Sequence, residues 1–220
     1  MTTVRVKICC IASREEARIA VGLGAAAVGL VSEMPSGPGV ISEAAIAEIA
    51  AAVPPAVGSF LLTSKQDAGA IVAQQRRCRV NTVQLCDVVR SGGYRDLRDG
   101  MPGVAIVQVI HVRGQDAIAD AILAGRDADA LLLDSGNPAL PTKELGGTGR
   151  THDWEISRRI RERVGVPVFL AGGLHAGNVG EAIRRVGPFA VDVCSGVRTD
   201  GRLDEAKLSA FMDAVRAAGG

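Results

Sequence analysis

Short apolar runs and helix-forming segments alternate along all 220 residues, and nothing else in the chain restricts its fold as much. Extended runs read over 4–9, 25–31, 57–62, 80–85, 104–110, 130–133, 166–171 and 189–193. Helices read over 13–23, 42–52, 64–77, 94–98, 114–124, 153–163, 176–186 and 205–217, opened by Ser13, Ser42 and Ser64 in the first three units. Ser13 with Glu16 has the capping-box spacing. Strands alternating with helices over short connections require a parallel sheet with right-handed crossovers. Eight such units predict an α/β protein built as a single (β/α)8 TIM barrel, one domain over 1–220, without linker, low-complexity tract or sequence repeat. The rival architecture, an open doubly wound sheet, carries G-x-G-x-x-G after its first strand, and Cys9-Cys10-Ile11-Ala12 does not fit that pattern.

Composition narrows the partners. Hydrophobic residues make up 47% and aromatics 3%, which suits helices packed closely on a sheet rather than an aromatic nucleic-acid surface. A net charge of +1, spread along the chain, gives no field to steer it to polyanions or membranes. Five cysteines without CxxC, and without a signal-peptide pattern, predict free thiols in a reducing compartment. Cys9, Cys86 and Cys194 are the three that a barrel could bring together, but the spacing is not that of a zinc site. No apolar run reaches the ~18 residues of a membrane span. The expectation is a soluble cytoplasmic protein, monomer or homodimer, that binds no nucleic acid and no membrane.

Three glycine-rich segments stand in the last third of the chain: Gly146-Gly147-Thr148-Gly149, Gly172-Gly173, and Ser195-Gly196. The last two directly follow apolar runs, and the first precedes a helix start at Asp153. Glycine lets backbone N–H groups approach an anion, and barrel loops after strands seven and eight commonly grip a phosphate. A phosphorylated small molecule is the expected ligand.

Side chains alternate along a strand, so Lys7 and Cys9 share one face, as do Leu132 and Asp134, and Asp192 and Cys194. If those faces look inward, Cys9, Asp134 and Asp192 meet at the carboxyl end of the barrel, where active sites of this fold lie. His111, His152 and His175 have no Ser or Cys partner in local register and read as structural.

Val6-Lys7-Ile8-Cys9, Leu132-Leu133-Asp134-Ser135, Gly146-Gly147-Thr148-Gly149-Arg150-Thr151-His152-Asp153-Trp154, Leu170-Ala171-Gly172-Gly173-Leu174 and Asp192-Val193-Cys194-Ser195-Gly196-Val197 closely resemble the phosphoribosylanthranilate isomerase family of tryptophan biosynthesis. The resemblance spans nearly the whole chain. It implies an Amadori rearrangement, an aldose-to-ketose isomerisation, with Cys9 as general base and Asp134 as general acid, no cofactor and no metal. It places the phosphate on Gly146, Gly147, Thr148, Gly149, Gly172, Gly173, Ser195 and Gly196, and gives Asp192 a part in orienting the substrate.

Four positions depart from the family pattern. Cys10 replaces the glycine of Lys-Ile-Cys-Gly, Cys86-Asp87 replaces His-Gly after Gln84-Leu85, and Cys194 replaces the first Ser of Ser-Ser-Gly-Val. The family arginine that meets the anthranilate carboxylate falls at Gly39, within Gly37-Pro38-Gly39-Val40-Ile41-Ser42. Losing one charge-assisted contact of that kind costs about 1.5–3 kcal/mol, and Arg113 and Arg198 are the candidates to replace it. Two further readings stay open: an isomerase or lyase of the same barrel acting on another sugar phosphate, and a phosphate-ligand-binding homologue without catalysis.

Overall fold

The computed structural model describes residues 4–147 and 149–219. Thr148, expected in the phosphate grip, lies outside them. Eight parallel strands, β1 (Arg5–Ile8), β2 (Ala27–Val31), β3 (Gly58–Thr63), β4 (Thr82–Leu85), β5 (Ala105–His111), β6 (Ala130–Asp134), β7 (Val168–Leu170) and β8 (Ala190–Val193), close into a barrel. Strand β1 pairs with both β2 and β8, so the sheet has no edge. The helices between and after them are α1 (Arg14–Gly22), α2 (Glu43–Ala52), α3 (Ala68–Cys78), α4 (Tyr94–Gly100), α5 (Ala117–Ala124), α6 (Trp154–Arg161), α7 (Val179–Val186) and α8 (Glu205–Ala218). The eight-unit reading of the sequence therefore describes the fold.

Local chemistry explains most element starts. Ser13 and Ser42 accept from backbone N–H groups three residues on, as their positions suggested. Glu16 completes its side of the box from the N–H of Ala12 rather than that of Ser13. The third helix is the exception. Asp67, not Ser64, caps it, because the Ser64 hydroxyl donates instead to the carbonyl of Glu33 in the preceding loop, 2.8 Å away. Helix α7 starts at Val179 rather than near 176, since Asn178 folds the loop before it with bonds to His175 and Gly173. After β8 come a single 3-10 turn, Ser195–Val197, and a two-stranded ribbon of β9 (Arg198–Thr199) and β10 (Arg202–Leu203), which the sequence reading did not contain.

The strands divide their side chains between two cores. Ile8, Val28, Leu61, Val83, Ile106, Leu131 and Val191 point outward and are buried under the helices, against residues such as Ile46, Ile71, Ile160 and Phe211. Ala27, Phe60, Val107, Ala130, Phe169 and Ala190 point inward and fill the barrel. Phe60 and Phe169 meet there with ring centroids 5.8 Å apart and plug the lower barrel. Among the described residues no helix is long and apolar enough to cross a membrane.

Candidate active site

Strand register sets the level of the polar side chains above the plug. Lys7 is the partner of Asp192, and Leu133, Leu170 and Val191 are partners in turn, so the residues that follow, Asp134, Ala171 and Asp192, share one level. All three line a cleft at the carboxyl end of the barrel, together with Cys9. That is the usual place of a small-molecule site in this fold.

Lys7 is fully buried beneath the cleft, with its ammonium 2.8 Å from Asp192 Oδ2 and 5.3 Å from the centre of the Phe60 ring. Burial works against its charge, but the Asp192 carboxylate and the Cys9 sulfur outweigh it and hold the ammonium above its ordinary pKa. Lys7 Nζ and Cys9 Sγ each lie 3.1 Å from the point where a β-carbon on Gly29 would sit, so the cation and the sulfur are neighbours over a gap in β2. The other carboxylate oxygen of Asp192 and the amide oxygen of Gln84 have no hydrogen-bond partner among the described residues, and both residues line the cleft. Buried acceptors of this kind are places for a ligand's hydroxyl or amine groups.

Asp134 ends β6 with its carboxyl buried. Desolvation raises its pKa from 3.8 to about 6, against the bond it accepts from the Ser135 N–H at 2.7 Å. Two loops wall it in. A β-carbon on Gly146 would stand 2.8 Å from Oδ2 and one on Gly172 would stand 3.2 Å from Oδ1, and both residues have positive φ, so each position requires glycine.

The loops after β6, β7 and β8 converge beside this carboxyl. Gly146, Gly147, Gly149, Gly172, Gly173 and Ser195 line the cleft, and the β-carbon position of Gly149 is 3.8 Å from Ser195 Oγ. Gly196 does not line it. A side chain there would strike the carbonyl of Leu174 at 2.1 Å, so its part is to let the β8 loop lie on the β7 loop. The 3-10 turn begins at Ser195, and the first N–H groups of such a turn have no partner within it.

Apolar side chains wall much of the rest of the cleft, among them Val31, Met34, Leu62, Leu132, Leu145 and Cys86. Burial pushes the Cys86 thiol up to about 12, so it is a neutral wall. Among the described lining residues there is no lysine or arginine. Arg113 bonds Asn137, and Arg198 is spent on Glu16 and on the carbonyls of Cys9 and Cys10, so neither proposed substitute cation reaches the cleft. Lys143, on the long β6 loop, pairs with Asp87 next to Cys86. The three histidines also stay outside: His111 meets the carbonyl of Cys86, His152 the hydroxyl of Ser157, and His175 the loop of Asn178. Cys9, Cys86 and Cys194 do line one cleft, yet among the described residues no three His, Cys, Asp or Glu side chains are placed to hold a metal ion.

Position 10 explains why position 39 is bare. Cys10 takes the left-handed conformation, φ 61°, that suits the family glycine, and its β-carbon would lie 2.5 Å from a β-carbon on Gly39. Only one of the two residues can carry a side chain with this backbone.

A family model described as N-(5'phosphoribosyl)anthranilate (PRA) isomerase matches residues 6–214. The chain belongs to the PRA isomerase family. An N-(5'-phosphoribosyl)anthranilate isomerase of Halorubrum lacusprofundi is 39% identical over 210 residues, 94% of each chain. The phosphoribosyl anthranilate isomerase of Thermotoga maritima superposes with a TM-score of 0.80 at 30% identity, covering 97% of this chain and 99% of that one. A PRA isomerase solved in complex with reduced 1-(o-carboxyphenylamino)-1-deoxyribulose 5-phosphate gives 0.78 at 28% identity, with the same coverage. Within this PRA isomerase fold, three of the departures from the family pattern, Cys10, Cys86 and Cys194, are wall residues of the cleft.

Proposed function

We propose that this protein isomerises N-(5'-phosphoribosyl)anthranilate, with Asp134 as general acid and Cys9 as general base. The observation that carries the reading is that these two side chains line one cleft whose rim is made of the glycine loops after β6, β7 and β8. The phosphate would sit against those loops, held by backbone N–H groups and the Ser195 hydroxyl. That fixes the ribose between the two reactive groups, with the aromatic ring toward Val31, Met34 and Leu62.

The chemistry follows from the electrostatics. With a pKa near 6, Asp134 keeps a useful fraction of protonated carboxyl near neutrality and can donate to the ring oxygen, opening the ribose to an iminium ion. Cys9, whose sulfur neighbours the Lys7 ammonium, then takes the C2′ proton and leaves an enolamine that ketonises. Asp192 Oδ1 is free to accept from a ribose hydroxyl. A Cys9→Ala variant tests the assignment: C2′ proton exchange should stop while a phosphorylated product analogue still binds, and undiminished exchange would reject it.

A second reading rests on the apolar walls. A phosphoribosyl amine without a ring carboxylate would suit walls that lack lysine and arginine. Comparing kcat/KM for the anthranilate substrate and its aniline counterpart separates the two, since a site that recognises the carboxylate should favour the former by about tenfold or more.

A further inference from the structure

Cys10 and Cys194 are 184 residues apart in sequence, and their sulfurs are 2.7 Å apart at the mouth of the cleft. Both are free thiols. We propose that Cys10 and Cys194 form a reversible disulfide across the β1–β8 seam that slows turnover under hydroperoxide, leaving the Cys9 thiol out of the bridge.

The geometry sets this pair for bonding. Cys10 follows β1 and Cys194 follows β8, and these strands are register partners up to Ile8 and Val193, with Cys9 N–H on the carbonyl of Val193 at 2.8 Å. The Arg198 guanidinium fastens the turn from outside through the Cys9 and Cys10 carbonyls. Neither end has far to move, because a disulfide needs an S–S distance of about 2.05 Å. Cys194 is half-buried and lines the cleft, so a peroxide can reach it, while Cys10, also on the cleft wall, is 5% exposed. Cys10 and Arg198 both favour the anionic form of Cys194 and hold its pKa below the ordinary thiol value, while Cys10 is held above it.

The reaction balances with hydrogen peroxide as oxidant. The Cys194 thiolate attacks one peroxide oxygen, the O–O bond breaks, and hydroxide leaves, giving a sulfenic acid. The Cys10 sulfur then attacks that sulfur, its proton goes to the departing oxygen, and water leaves as the S–S bond forms. Two electrons pass from the two sulfurs to the peroxide, and a dithiol reductant reverses the step. The bridge would join the end of β1 to the residue preceding Ser195, along the β1–β8 wall of the cleft, and so would fix the start of the Ser195 turn.

The test is a peroxide titration of the full chain, followed by alkylation of remaining thiols, peptide mapping without reductant and assay of turnover. The expected result is a Cys10–Cys194 linked peptide, a turnover fall of about tenfold, and recovery with dithiothreitol. Cys10→Gly and Cys194→Ser, each scored against its own untreated rate, should both lose the linked peptide and the recoverable part of the fall. A bridge that includes Cys9, five thiols still open to alkylation, an equal recoverable fall in both variants, or a bridge that leaves turnover unchanged would each overturn the proposal. The peptide map needs no substrate, so its result stands apart from the assignment of the isomerase reaction.

Discussion

The ammonium of Lys7 and the carboxylate of Asp192 meet at 2.8 Å inside the barrel, one on its first strand and the other on its last. Neither is more than 7% exposed. Removing one partner strands the other in a medium that solvates it poorly. Lys7→Met and Asp192→Leu should each lower stability by about 3–5 kcal/mol, whereas the double variant should lose much less than the sum. Chemical denaturation of the four proteins measures the coupling. Additive losses would mean the pair is not an ion pair in solution.

Asp134 should weaken the fold near neutrality. Its carboxyl holds its proton more tightly folded than unfolded, so its contribution is most favourable below about pH 4 and is lost as pH rises through about 6, by at most about 3 kcal/mol. Asp134→Asn should therefore raise Tm at pH 7.5, leave it nearly unchanged at pH 4, and reduce turnover by about 10²–10⁴-fold. In the parent enzyme kcat should decline on the alkaline side of pH 6, where the acid is deprotonated. An Asn variant no more stable at pH 7.5 than the parent would show that burial does not strain this carboxyl.

Residues 10 and 39 should behave as one unit. Gly39→Arg alone places a β-carbon against Cys10 at 2.5 Å and asks a non-glycine residue to hold φ 81°, so it should lower stability by about 1–3 kcal/mol and bring no gain in rate. With Cys10→Gly in the same chain the 2.5 Å side-chain contact is removed, while residue 39 still holds φ 81°. The double variant should then discriminate for the ring carboxylate by about tenfold more than the parent, read from kcat/KM with the anthranilate and aniline substrates. Equal preference in parent and double variant would show that residue 39 does not face the ring.

Arg198 acts through the turn it holds. Its guanidinium reaches the carbonyls of Cys9 and Cys10 and the carboxylate of Glu16, a fan of acceptors that a lysine cannot span. Arg198→Lys should slow substrates with and without the carboxylate alike, by about tenfold, through kcat rather than KM. A loss confined to the carboxylated substrate would instead make Arg198 a ligand of that group.

The barrel was legible because each unit repeats a strong local pattern, and the inward faces of Cys9, Asp134 and Asp192 followed from strand alternation. Other parts depend on what neighbouring elements do. Ser64 has the form of a helix cap, but a carbonyl on another loop takes its hydroxyl. Val31, Met34 and Leu62 carry the same apolar character whether they face helices or ligand, so nothing local marked them as walls. Cys10 and Gly39 look unrelated in sequence, and the contact that couples their side-chain space appears only in the folded chain.

The seam between β1 and β8 also bears on how the molecule is made. A chain extended only through β7 has the thiol strand but no Asp192, and its Lys7 sits on an open border without a counter-ion. The working centre is completed when the eighth strand docks, so a prematurely halted polypeptide would be inert and would expose an unsatisfied edge for quality control to recognise.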